Sequence, residues 1–135
     1  MKRFLLLITI LLLTVSTVQS QAPSNQDVLT ATEINSFPFN ESNVRLDLSS
    51  NDTGGQEGCA FTANPSIYYK FTATENAIIS ASITDSSGSD LGFTSAVFFT
   101  APNLNVTDNS QLQVASFCGQ TSFTSLHVTQ GQSYY

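Results

Sequence analysis

The sequence predicts an all-β domain: an antiparallel β-sandwich of jelly-roll or immunoglobulin-like type, with about seven to eight short strands. Three observations point there. Apolar and polar residues alternate with a period of two in Ser66 to Ala73, in Ala77 to Thr84 and in Phe123 to Thr129, which is the period at which side chains leave the two faces of a strand. Between such runs lie clusters of Ser, Asn, Asp, Gly and Pro, the residues that turns require. After residue 20 no stretch sustains the apolar spacing of a helix.

Residues 1–20 stand apart from that pattern. Lys2 and Arg3 precede an apolar run from Phe4 to Val15, and Val18-Gln19-Ser20 offers small residues at a cleavage site. This is the layout of a secretory signal peptide. The apolar run is shorter than the about 20 residues that span a bilayer. The expectation is export, with no membrane insertion after cleavage, and a secreted or cell-surface location.

Taken in order, residues 21–30 read as a flexible lead-in, and residues 31–135 as a single domain. A short strand is expected around Ala31 to Ser36, ended by Phe37-Pro38-Phe39, where Pro cannot continue a central strand. Asn43 to Leu48 alternates, with Val44, Leu46 and Leu48 inward and Arg45 and Asp47 outward. Ser49 to Gly58 is a Gly-rich loop. Ile67, Tyr69 and Phe71 share one face of the next strand, with Tyr68, Lys70 and Thr72 on the other. Thr74-Glu75-Asn76 then reads as the link of a β-hairpin, although it lacks the Gly of the strongest hairpin turns. In the second strand Ile79, Ala81 and Ile83 oppose Ile78, Ser80 and Ser82.

Phe93 to Thr100 carries apolar residues on both faces, as a strand covered on both sides does. Gln111 to Phe117 and Phe123 to Thr129 follow, the latter with Thr124, Leu126 and Val128 opposite Phe123, Ser125 and His127. After the turn Gln130-Gly131-Gln132, Ser133-Tyr134-Tyr135 begins a further strand at the end of the sequence. It reads as a strand cut short, so an unpaired sheet edge or a poorly packed patch is expected beside the two tyrosines, in a fragment of a longer protein.

Charge excludes some partners. The chain has ten acidic residues against four basic ones, and removal of the leader leaves only Arg45 and Lys70. Such a surface does not bind nucleic acid through phosphates, nor does it attract anionic lipid. Cys59 and Cys118 are the two cysteines; in an exported chain such a pair is expected to form a disulfide. It would close a loop of about 60 residues and stabilise by about 3–4 kcal/mol on the chain-entropy account.

Several runs, in order, carry a likeness: Ile34 to Phe39, the Gly-rich run into Cys59, Ile67 to Ala73, Asn76 to Thr84, Phe93 to Phe99, Val114 to Cys118 and Gly131 to Tyr135. Together they resemble the bacterial pre-peptidase C-terminal (PPC-like) domain and its relatives in large surface proteins, which often end in a type IX secretion sorting domain. The family's central Trp-Tyr-Lys-Phe strand is matched by Tyr68-Tyr69-Lys70-Phe71, with Tyr in place of Trp. Gly131 to Tyr135 is similar to its closing strand, which continues further in the family. The resemblance implies a small non-catalytic β-sandwich accessory module attached to a secreted peptidase, another hydrolase or an adhesin. Two departures stand out. Gly88 to Thr94 lacks the Asp that follows the Phe in relatives, and Cys118 to Ser122 has no acid where relatives have an Asp-rich turn. If those carboxylates hold calcium in relatives, this chain lacks most of them.

Candidate sites are few. Asp52, Asp85 and Asp90 are the calcium candidates, joined by the loop acids Glu57 and Asp108. A calcium ion takes six to eight oxygens, and no EF-hand loop is present; solvated loop acids are the competing reading. His127 is the single histidine, without a G-x-S-x-G nucleophile motif, and reads as a strand histidine. Tyr68 is the candidate for stacking on a sugar ring, against a packed position under a loop or second sheet. Asn40-Glu41-Ser42, Asn51-Asp52-Thr53 and Asn105-Val106-Thr107 fit the N-glycosylation pattern, which in a bacterial protein carries no sugar. No catalytic residue and no cofactor is expected. The function expected is a non-catalytic accessory or adhesion domain, with downstream domains of the same polypeptide and a polysaccharide or cell-surface ligand as partners. The alternatives are a carbohydrate-binding module, or the leading part of a secreted hydrolase whose catalytic domain lies beyond residue 135.

Overall fold

The computed structural model describes residues 21–49, 65–84, 96–116 and 123–135. The expected leader, Asp52, Glu57, Cys59, Asp85, Asp90, Phe93 and Cys118 lie outside these, and with them the disulfide and every calcium candidate but Asp108. Among the described residues the chain is mostly strand with little helix. The described residues form seven strands: β1 (Thr32–Glu33), β2 (Tyr69–Thr72), β3 (Ala77–Ser82), β4 (Phe99–Ala101), β5 (Gln113–Val114), β6 (Phe123–Val128) and β7 (Ser133–Tyr134). They form a five-stranded sheet in the order β1-β2-β7-β4-β5 and a two-stranded sheet of β3 and β6.

The expected hairpin over residues 66–84 is not formed. β2 pairs with β1 and β7, whereas β3 pairs with β6 along six residues. The Thr74-Glu75-Asn76 link therefore carries the chain from one sheet to the other. Its partner is the turn at residues 129–132, where the chain passes back from β6 to β7. The two crossings are bonded together: Ala73 N–H donates to the Gln132 carbonyl (3.0 Å) and Gly131 N–H to that of Ala73 (2.8 Å), while Gln130 N–H donates to Asn76 Oδ1 (2.8 Å). Gly131 takes φ +81°, which a residue without Cβ adopts freely.

The large sheet is mixed, not purely antiparallel, because β1 runs parallel to β2. Asn25 explains this start. Buried to 3 % exposure, it accepts from Tyr68 N–H through its own carbonyl (2.7 Å) and donates from Nδ2 to the Tyr68 carbonyl (3.0 Å). Residues 25–34 thus run alongside β2, and Val28 enters the core from the segment expected as a free arm.

Leu46–Leu48 forms a 3-10 turn rather than an alternating strand. Asn43 sits at φ +62°, a left-handed conformation that Asn tolerates and that interrupts an extended run. Downstream, Ser49 donates both its backbone N–H (3.1 Å) and its hydroxyl (2.8 Å) to the Leu46 carbonyl, the local competition with a strand that Ser offers.

The expectation of an unpaired edge beside Tyr134 and Tyr135 is also overturned. β7 is the central strand, pairing antiparallel with β2 on one side and β4 on the other, and Tyr135 exchanges both backbone hydrogen bonds with Phe99. Adjacent residues of these strands face opposite sides of the sheet. Phe71, Ala73, Phe98, Val128 and Tyr134 form one apolar cluster, which Ala77, Ile79, Ala81 and Leu126 of the small sheet join. Val28, Ala31, Ala101, Val106, Leu112 and Tyr135 form a second on the opposite face. The first cluster draws side chains from both sheets. The second is roofed by residues 102–112, held by a capping box in which Asp108 accepts from Ser110 N–H (2.7 Å) and Gln111 Oε1 from Asp108 N–H (3.2 Å).

Candidate functional site

Phe37 and Phe39 pack against β2. Phe37 meets Phe71 edge-to-face, with centroids 5.1 Å apart, and Phe39 meets Tyr69 at 5.5 Å. The pairing follows from parity: Phe37 and Phe39 are two residues apart, as are Tyr69 and Phe71 on one face of β2. Behind this block Phe71 continues the aromatic contact inward to Tyr134 (5.3 Å, stacked) and Phe98 (6.5 Å). In front of it the two phenyl rings stay in the open, Phe37 at 48 % and Phe39 at 38 % exposure. Aromatic packing of this kind fixes ring orientation through the quadrupole of each ring.

Polar residues follow Phe39 in the chain. Asn40, Glu41, Ser42 and Asn43 are all exposed. Tyr69 donates its hydroxyl to Glu41 Oε2 at 2.8 Å, which ties this segment to β2. Burial pushes the Tyr69 phenol well above its ordinary range, the Glu41 hydrogen bond and negative charge push the same way, and Asn25 opposes them. Tyr69 thus keeps its proton and donates it to Glu41.

The other sites read from the sequence are dispersed. Tyr68 lies half-buried against the second apolar cluster, and its hydroxyl accepts from Asn109 Nδ2 at 3.4 Å, under the loop that roofs that cluster. Asp108 spends its carboxylate on the Ser110 backbone, and that bond holds its carboxyl below the usual range. His127 is exposed on the outer face of β6, opposite Ile78 of β3. Among the described residues no group of three His, Cys, Asp or Glu side chains could hold a metal ion. Lys70 reaches across the sheet to donate to the Leu104 carbonyl at 3.0 Å. Of the two described glycosylation triplets, Asn40 and Asn105 are exposed.

The Phe37–Phe39 pair is what reasoning from the sequence missed. Its signal was an aromatic residue on each side of a Pro, in a segment where Pro already excludes a central strand. Comparisons with protein families, curated proteins and solved structures returned no match. No helix among the described residues is long and apolar enough to cross a membrane.

Proposed function

We propose that this chain is a non-catalytic accessory or adhesion module of an exported protein, built as a β-sandwich and working through its surface. The observation that carries the reading is the apolar cluster to which both sheets contribute, Phe71, Phe98 and Tyr134 from the large sheet and Val128, Ile79 and Leu126 from the small one. Facing sheets that bury one common core are the basis of sandwich architecture. The outward face of the small sheet, with Ser80, Ser82, Ser125 and His127 exposed, suits a module that sits in water beside other domains. The layout of residues 1–20 and the likeness to pre-peptidase C-terminal domains support export and attachment to a longer polypeptide. A Cys59–Cys118 bridge belongs to the same reading.

The test is a secretion and turnover experiment on the whole chain. Mass spectrometry of the exported protein should find a mature chain starting at Gln21 with both cysteines oxidised. The purified protein should leave peptide, ester and glycoside substrates intact. Retention of residues 1–20, or turnover that His127→Ala removes, overturns the reading.

A further inference from the structure

We propose that Gln21, once it is the first residue of the exported chain, closes on itself to pyroglutamate, an inference that rests on the export reading and adds a covalent modification to it. The cut expected after Val18-Gln19-Ser20 leaves a glutamine in front. Its new α-amino nitrogen and its own side-chain carbonyl are then joined through Cα, Cβ and Cγ, so attack of one on the other closes a five-membered lactam. The bond from that nitrogen to Cδ forms and the Cδ–Nε2 bond breaks. One amine proton passes to Nε2, which leaves as ammonia. Nothing is oxidised or reduced, and no co-reactant is consumed. Both partners sit in one residue, which gives the reaction the advantage of an intramolecular step. An α-amino group titrates near about 8, so part of it is the neutral nucleophile at neutral pH.

The fold leaves this residue free to react. Gln21 and Ala22 are exposed and lie outside any strand or helix. Among the described residues Gln21 takes part in no hydrogen bond and no ion pair. The chain is first held at Asn25, by its two bonds to Tyr68. The residues ahead of that anchor reach up to about 14 Å from it, so both spontaneous closure and a cyclising enzyme have access. Closure removes the terminal positive charge from a chain whose cations are otherwise Arg45 and Lys70. It also removes the free amine that an aminopeptidase needs, which protects the end of a module that works outside the cell.

Mass spectrometry tests this on the exported protein, held at neutral pH until its mass is steady. The undigested chain is weighed first. Its tryptic fragment of residues 21–45 follows, ending at Arg45, the first basic residue after the leader. The fragment should be lighter by one ammonia and inert to aminopeptidase, and pyroglutamyl peptidase should convert it to one beginning at Ala22. A synthetic peptide of residues 21–45 with an open glutamine, taken through the same digestion, measures closure caused by handling. Gln21→Ala has no side-chain carbonyl to attack; its fragment should carry a free amine and lose no ammonia, with the unfolding midpoint unchanged. An open Gln21 at full mass overturns the proposal and leaves the export reading standing. So does ammonia loss that persists in Gln21→Ala, or an exported chain whose first residue is not Gln21. Retention of residues 1–20 overturns both.

Discussion

Gln130 donates its backbone N–H to the side-chain oxygen of Asn76 at 2.8 Å, and this bond ties the two places where the chain passes between sheets. Asn76→Ala should destabilise the fold by about 0.5–1.5 kcal/mol, the net contribution of such a bond. Asn76→Asp keeps an acceptor at the same place and should recover most of the loss. Urea unfolding with an unchanged slope checks both; equal loss in the two variants would assign the effect to something other than the acceptor.

The central position of β7 makes its tyrosines sensitive. Tyr134 is 3 % exposed, stacks on Phe71 and accepts from Thr129 N–H at 2.9 Å. Tyr134→Ala should cost about 3–5 kcal/mol through the cavity left behind, and a small domain has little more than that to lose. Tyr134→Phe keeps the stack and strands the Thr129 donor, for about 1–3 kcal/mol. If thermal melting finds the two variants alike, the ring packing is not what holds β7.

Gly131 separates space from conformation. A Cβ built there meets no atom within 4 Å, yet its φ of +81° disfavours side chains. Gly131→Ala should therefore cost about 1–2 kcal/mol, and Gly131→Asn distinctly less. Equal stability of Gly131→Ala and the parent in denaturant unfolding would show that the turn relaxes to another conformation.

Alkaline pH should loosen the fold. Burial raises the Tyr135 phenol, the Glu33 charge adds to this and the Val106 N–H opposes it; Tyr69 is raised by burial and by Glu41. A raised folded-state pKa means that the folded chain holds its proton where the unfolded chain, titrating near about 10, has released it. Stability from these phenols is complete below that pH and falls as pH rises beyond it. Unfolding midpoints followed upward from neutral pH should be level until about pH 10 and then drop, with a shallower drop in Tyr69→Phe. An unchanged slope in that variant would sink the assignment to Tyr69.

How far the fold could be read from the residues depends on the range of each contact. The faces of β3 and β6 follow from parity: Ile79 and Ala81 join the core while Ile78 stays exposed, and Thr124 and Val128 are buried while His127 is not. Those are choices made residue by residue against one buried side. Pairing is different, because β2 takes its partner β7 from the far end of the chain, and nothing local in Thr74-Glu75-Asn76 tells a hairpin from a crossing between sheets. Leu46-Asp47-Leu48 is too short to separate alternation from a turn. Tyr134-Tyr135 carried a usable signal: apolar residues at both parities, as in Phe98-Phe99, mark a strand covered on both faces. Its place at the end of the sequence suggested an edge instead. The exposed Phe37–Phe39 pair was the least legible part, since Phe37 and Phe39 acquire meaning only once Tyr69 and Phe71 are known to stand behind them.

The order of synthesis gives the place of β7 a further meaning. β2 and β4 leave the ribosome before β7, the strand that slots between them, so the large sheet stays open until β7 has emerged. A chain that lacks this strand leaves the facing edges of β2 and β4 without their partner.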